Sequence, residues 1–274
     1  MVKPNTLVLT GYGINCDEET RFAFERAGAN AELVHINDLI DGHRKLNDYQ
    51  ILAFPGGFSY GDDTGAGNAL ANRIRNHLWD EVRGFVEEDH LAIGICNGFQ
   101  VMANLGILPA IDGRYGDRQV ALVQNDVPRY LDRWVDLEFQ ANADSKLRIK
   151  SPWINGLWGM SLPIAHGEGK FYCDSKTLQE VKEKKLIAVK YVGGGVCFDQ
   201  RLKVNPNGSL EDIAGITDES GRLLGMMPHP ERAIDFTQLP NWTLLKEKYK
   251  REGRPIPKEG GGLNIFRNGV RYFE

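Results

Sequence analysis

The chain is 274 residues long; with typical domains of about 100–200 residues, it has room for one large domain or two small ones and for a core that needs no disulfide or metal staple. Its 33 Lys and Arg against 37 Asp and Glu give a formal charge of −4, which removes the electrostatic basis for wholesale binding to nucleic acid or an anionic membrane. A hydrophobic fraction of 42% suits a soluble globular protein, and no run nears the roughly 18 uninterrupted apolar residues of a membrane helix.

The opening Met1-Val2-Lys3-Pro4-Asn5 leads directly into an apolar stretch, without the pattern of a secretory signal, so a cytoplasmic location is expected. Strands are predicted at 7–9, 31–36, 51–54 and 91–95, alternating with helical patterns at 18–27 and about 66–87. Such alternation implies parallel strands joined by crossover helices: an α/β fold with a doubly wound, mostly parallel sheet and helices on both faces. Ligands gather at the carboxyl ends of the strands of such sheets. The loops after Leu9, Phe54 and Ile95 are therefore expected to meet.

The second half turns toward strands, at 119–123, 134–140, 186–191, 213–217 and 223–227, separated by Gly, Pro and Asn turns and expected as antiparallel additions to the same sheet. Residues 235–274 are predicted as an appended tail on a single domain spanning 1–274. Within it, Trp242, Leu245 and Tyr249 share one face of a helix, followed by a loop with Gly260-Gly261-Gly262 and a short ordered end. Four cysteines, Cys16, Cys96, Cys173 and Cys197, are too few for a disulfide framework and too widely spaced for a paired zinc knuckle. No metal site is expected.

Three segments carry chemistry. In Gly94-Ile95-Cys96-Asn97-Gly98 an apolar strand passes at once into a helical pattern, the cysteine form of a nucleophile elbow. Flanking glycines permit the strained turn, and a helix amino terminus favours thiolate through its dipole and unpaired amides. The competing reading of Cys96 is a small buried apolar residue. Met227-Pro228-His229-Pro230-Glu231-Arg232 follows another apolar strand. His229 and Glu231, two apart in an extended segment, are expected to share a face, giving a cysteine nucleophile its proton carrier and the carboxylate that orients it. Finally, Phe54-Pro55-Gly56-Gly57-Phe58-Ser59-Tyr60-Gly61-Asp62 puts paired glycines after a strand, open to a substrate, with Gly57 the expected second donor of an oxyanion hole. It lacks the G-x-x-x-x-G-K-[ST] of a phosphate loop, and Gly11-Tyr12-Gly13-Ile14-Asn15-Cys16 fails the dinucleotide fingerprint at Cys16.

On the elbow cysteine and the late His-x-Glu, the chain resembles the class I, triad-type glutamine amidotransferases, whose fold is flavodoxin-like. Gly13-Ile14-Asn15-Cys16-Asp17, Ala165-His166-Gly167-Glu168-Gly169 and Asn205-Pro206-Asn207-Gly208-Ser209, taken with the three segments above, narrow the resemblance to the family of glutaminase subunits of phosphoribosylformylglycinamidine synthase. The resemblance implies Cys96 as nucleophile, His229 as general base and acid, Glu231 as its orienting carboxylate, Gly57 and Asn97 amides as the oxyanion hole, and Gln100 near the bound glutamine. It implies a large synthase subunit and a small accessory subunit as partners, ATP and Mg²⁺ used by the synthase subunit, and no cofactor in this chain. The 165–169 loop is expected beside the glutamine pocket or the partner surface, with His166 either functional there or a hydrogen-bonded structural histidine. Two features depart from the short members of the family: Asp63-Thr64-Gly65-Ala66-Gly67, directly after Gly61-Asp62, holds no arginine, and the chain is longer through 144–158 and the tail. A stand-alone cysteine hydrolase of peptides or γ-glutamyl compounds and a redox-sensing, non-enzymatic relative are the alternatives. The His229–Glu231 pair speaks against the second, because a sensor thiol needs no general acid.

Overall fold

Strands and helices alternate through the first part of the chain: β1 (Asn5–Thr10), α1 (Asp17–Ala27), β2 (Asn30–His35), α2 (Ile36–Ile40), β3 (Ile51–Phe54), α3 (Asn68–His77), α4 (Trp79–Glu87), β4 (Leu91–Ile95) and α5 (Asn97–Leu105). Then follow β5 (Ala121–Val123), β6 (Leu131–Phe139), β7 (Gly159–His166), β8 (Lys170–Tyr172), α6 (Ser175–Glu183), β9 (Ile187–Val192), α7 (Gly195–Gln200), β10 (Ile213–Thr217), β11 (Leu223–Met226), α8 (Trp242–Arg251) and α9 (Leu263–Arg271). The computed structural model describes residues 3–140 and 151–274.

Among the described residues, nine strands form one sheet in the order β2-β1-β3-β4-β11-β10-β9-β6-β7. From β2 to β11 the pairing is parallel, and from β11 to β7 it is antiparallel. This is the doubly wound α/β sheet with antiparallel additions that the alternation predicts. Every residue of β3 and β4 is buried, as in a parallel sheet covered on both faces. Register brings the ends together: Phe54 of β3 pairs with Gly94 of β4, and Ile95 of β4 with Met226 of β11. The chain therefore leaves β1, β3, β4 and β11 at one edge, where its most unusual segments lie.

The structure corrects several predicted elements. The helical stretch at 66–87 divides into α3 and α4 at Leu78, which leaves helical geometry (φ −136°) and is itself buried. The segment at 119–123 contributes β5, which pairs with β8 in a separate two-stranded ribbon. β11 runs parallel, not antiparallel, to β4. The tail also differs in detail: no residue of α8 is buried, whereas α9 buries Leu263, Ile265, Phe266 and Val270. Phe266 meets Phe24 of α1 edge-on at 4.9 Å, and Phe24 meets Trp153 at 6.4 Å. Gly260 and Gly262 allow this approach, since a side chain at either would strike the carbonyls of Ala233 and Pro230. Of the long extension at 144–158, residues 144–150 lie outside the described residues; the remainder supplies the buried Trp153. Among the described residues, no helix is long and apolar enough to cross a membrane.

Candidate active site

β4 ends at Ile95 and α5 begins at Asn97, so Cys96 alone makes the turn, at φ 52° and ψ −107°. A side-chain-bearing residue held there costs about 1–3 kcal/mol. The neighbouring glycines make room for it. A Cβ at Gly94 would lie 2.5 Å from Met102 Sδ, and one at Gly98 would run into the Phe54 carbonyl. The predicted elbow is thus present. Cys96 is 5% exposed, and its thiol faces the Ala165 carbonyl at 3.5 Å. The Asn97 amide belongs to the first helical turn, whose donors have no partner within the helix.

His229 follows β11 at the same sheet edge. Its backbone N–H donates to the Pro163 carbonyl of β7 at 2.8 Å, so the antiparallel half of the sheet holds it in place. Its Nδ1 lies 2.5 Å from Glu231 Oε1, in a fully buried pair. The predicted pairing is real, but its basis differs: Glu231 sits in a 3-10 turn over Pro230–Arg232, not in an extended segment, and the turn folds the carboxylate back onto the ring. Nε2 has no hydrogen-bond partner among the described residues. Burial pulls the His229 pKa down, yet the Glu231 carboxylate, with the sulfurs of Cys96 and Cys16 adding to it, holds it well above the usual histidine value.

The glycine-rich loop closes the third side. Asn15 and Cys16 N–H groups donate to the Gly56 carbonyl and Phe58 N–H to the Gly13 carbonyl, flanking an isolated bridge between Ile14 and Gly57. This pattern leaves the Gly57 N–H outside the ladder, at φ 148°. The loop is also tied to the elbow, as Ser59 N–H donates to Asn97 Oδ1 at 3.2 Å and Asn97 Nδ2 to Asp62 Oδ1 at 3.2 Å. Burial, outweighing the Gly67 N–H and Asn97 Nδ2 that donate to it, raises the Asp62 pKa. At Gly56 the side chains converge: a Cβ there would stand 2.8 Å from His229 Cε1, 3.1 Å from Cys16 Sγ and 3.5 Å from Cys96 Cβ.

Cys96, His229 and Gly57 line one small cleft of about 40 Å³, together with Cys16, Tyr130 and Arg232. A larger cavity of about 350 Å³, beside Leu39, Leu46 and Glu81, holds none of these groups. Gln100 does not reach the cleft. It lies one turn into α5 with its amide used, accepting from Asn97 Nδ2 at 2.9 Å and donating to the Glu168 carbonyl at 2.5 Å. The 165–169 loop forms a wall through Ala165, fastened at its other end by Glu168 Oε2 accepting from Ala66 N–H at 3.0 Å. His166 points into the protein beneath that wall; neither ring nitrogen has a partner among the described residues, and burial lowers its pKa to about 3.

Sequence reasoning gave no role to several cleft residues, Cys16, Tyr130 and Arg232 among them. Cys16 caps the start of α1, its Sγ accepting from Arg232 Nη2 at 3.0 Å. The sulfur and the ligand atoms of His229 and Glu231 lie within 4.8 Å of one another. The available signal was position, since Cys16 follows β1 at the edge where Cys96 follows β4.

A family model for the CobB/CobQ-like glutamine amidotransferase domain matches residues 3–273. The chain belongs to this family. Among the amidotransferase relatives it resembles is a phosphoribosylformylglycinamidine synthase subunit PurQ of Methanococcus maripaludis, 49% identical over 276 residues, covering 99% of this chain and 98% of that protein. Its namesake from Dehalococcoides mccartyi is 42% identical over 273 residues, covering 99% and 98%. Among solved structures, a chain of PurLQS from Thermotoga maritima superposes with a TM-score of 0.71 at 28% identity, over the full length of both chains.

Proposed function

We propose that the chain is the glutaminase subunit of a phosphoribosylformylglycinamidine synthase. It hydrolyses glutamine to glutamate and ammonia and passes the ammonia to a synthase subunit, which uses ATP and Mg²⁺ to turn formylglycinamide ribonucleotide into the amidine in purine biosynthesis. The observation that carries this reading is the convergence of Cys96, Gly57 and the Glu231-bound His229 on one cleft, in a chain with full-length relatives of that name. The large synthase subunit and a small accessory subunit are the partners, supported by the likeness to a chain of PurLQS.

In the proposed reaction His229 Nε2 takes the Cys96 thiol proton, the sulfur attacks the side-chain carbonyl carbon of glutamine, and the Gly57 and Asn97 amides hold the resulting oxyanion. The proton carried on His229 Nε2 goes to the departing nitrogen, the C–N bond breaks, and ammonia leaves a glutamyl thioester. Water then gives a proton to His229 and attacks the thioester, releasing glutamate and restoring the thiol. Glu231 keeps Nδ1 occupied, so that Nε2 faces the sulfur throughout. Ammonia released into bulk water would be protonated and lose its nucleophilicity, so the product is handed over within the complex.

The test is the assembled complex with Cys96→Ala. Glutamine-dependent amidine formation is expected to vanish while ammonia-dependent formation continues, and a glutamine-analogue affinity label is expected to map to Cys96 in the unsubstituted protein. Retained glutamine-dependent activity would refute the reading; turnover of γ-glutamyl peptides by the isolated chain would favour the stand-alone hydrolase.

A further inference from the structure

We propose that Phe58 and Tyr130 form a movable aromatic gate over Cys96, and that its aperture sets the size of the molecule that reaches the sulfur. The cleft holds about 40 Å³, room for only a few waters when each needs about 10–15 Å³, whereas pockets that take small molecules run to roughly 300 Å³ and more. Glutamine therefore cannot lie beside Cys96 with the walls as they stand. Some part of the lining has to give way.

That lining divides into a floor and a rim. Cys16, Cys96, Ala165 and His229 are buried, and Gly57 is bridged to Ile14, whereas Asn15, Phe58, Tyr130 and Arg232 reach solvent. Two of these four are tied down. Arg232 donates through Nη2 to Cys16 Sγ, and its Nε lies 3.4 Å from Glu19 Oε1; Asn15 donates its N–H to the Gly56 carbonyl, and its Oδ1 lies 3.3 Å from Cys16 Sγ. Phe58 and Tyr130 are held differently. Their rings come from separate walls, the glycine-rich loop and the segment before β6, and meet with centroids 5.9 Å apart at 36°. Phe58 is 41% and Tyr130 51% exposed, and among the described residues the Tyr130 hydroxyl makes no hydrogen bond. An aromatic contact of this kind shifts a population by roughly two- to tenfold, and exposed side chains change rotamer within nanoseconds. Parting the rings breaks no hydrogen bond.

The backbones beneath the rings are fixed. Phe58 N–H donates to the Gly13 carbonyl at 2.7 Å, Ser59 N–H to Asn97 Oδ1 at 3.2 Å, and Asn125 Nδ2 to the Arg129 carbonyl at 3.1 Å. The ring of Phe58 can therefore turn about its side-chain bonds while Gly57, its neighbour, keeps its place. Burial, with the Cys96 sulfur adding to it, raises the Tyr130 pKa, so the ring beside the sulfur stays uncharged. Closed, the cleft still has room for the water that cleaves a thioester. Opened by the swing of the rings, it admits free glutamine and turns away amides that carry a bulky substituent; this choice of substrate rests on the proposed function.

Alkylation reads access to the sulfur without any glutamine, so failure of the gate and failure of the glutaminase reading are separate results. The full-length chain is treated with iodoacetamide or with a bulky N-aryl maleimide, and the rate of modification at Cys96 is followed by mass spectrometry. Tyr130→Ala is expected to raise the maleimide rate at least about tenfold and the iodoacetamide rate less than about threefold. Tyr130→Phe keeps the ring and should match the unsubstituted protein, and Tyr130→Trp enlarges it and should slow the maleimide. An unchanged maleimide rate in Tyr130→Ala, an equal rise for both reagents, a rise shared by the buried Cys173, or a Tyr130→Phe protein that behaves like Tyr130→Ala would overturn the gate. Should Tyr130→Ala fail to fold, Tyr130→Trp decides: a maleimide rate at or above that of the unsubstituted protein overturns the gate, and a slower one supports it.

Discussion

Cys16 and Cys96 occupy comparable places, each capping the helix that follows a parallel strand and each with its sulfur in the same cleft. The turns that hold them differ. Residues 11–16 lie between β1 and α1, and Cys16 rests at φ −107°, its sulfur engaged by Arg232 Nη2 at 3.0 Å and near Asn15 Oδ1 at 3.3 Å. Burial pushes its thiol pKa up. Cys96 makes its turn alone at φ 52°, and its sulfur lies 3.5 Å from the Ala165 carbonyl, beside His229. The roomy turn lets a thiol settle among partners. The tight one fixes its direction by backbone geometry, so that the strain is borne where the chemistry is proposed to occur.

Substitution of the two thiols should separate them most. Cys96→Ala is expected to lower glutamine-dependent kcat/KM by more than about a thousandfold, a barrier increase of roughly 4 kcal/mol, whereas Cys16→Ser should cost no more than about tenfold. Equal losses in steady-state assays of the complex would erase the distinction. The glycines should come next. Gly98→Ala sets a methyl against the Phe54 carbonyl, while Gly11→Ala meets only side-chain atoms, Ile36 Cγ2 at 3.4 Å and Ile14 Cδ1 at 3.8 Å. Urea unfolding should report a loss of about 3 kcal/mol or more for the first and within about 1 kcal/mol for the second.

Glu231→Gln sharpens the comparison on the electrostatic side. Removing the carboxylate lowers the His229 pKa and frees the ring to turn, with an expected loss of about a hundredfold in kcat. The pH dependence has a definite sign. A histidine with a raised folded pKa contributes stability that is complete below its unfolded value of 6.5 and fades as pH rises through the folded value. The stability difference between the unsubstituted protein and Glu231→Gln should therefore shrink from neutral to alkaline pH. His166 behaves oppositely. Its folded pKa of about 3 means that the unfolded chain takes up the proton first as pH falls below 6.5. Relative to His166→Gln, the protein should lose on the order of 3 kcal/mol by about pH 4, measured by urea midpoints.

Much of this was legible in the sequence because the parallel half follows local rules. Unbroken apolar runs gave β3 and β4 to the residue, and glycine on both sides of Cys96 marked a turn that few other residues permit. β7 was missed because Pro163 and Gly159 demote a run that reads GMSLPIAH. It is tolerated as an outermost strand, paired among the described residues only with β6, where a missing N–H breaks no ladder. The same strand supplies the carbonyl that holds the His229 backbone, so the part of the site hardest to foresee is the part that depends on distant pairing. α9 was read as a short end because three glycines precede it. Its burial follows from packing against Phe24 more than two hundred residues earlier, a contact that no local pattern announces. Gln100, placed near the substrate by resemblance, links the elbow to the 165–169 wall.

Position 56 works as a keyhole cut by covalent structure alone: three reactive side chains meet over an atom that glycine does not possess. Every other amino acid would plug it, and no compensating change elsewhere can remove a Cβ. In cells made to depend on this chain for purine, a library of all codons at that site should return one letter.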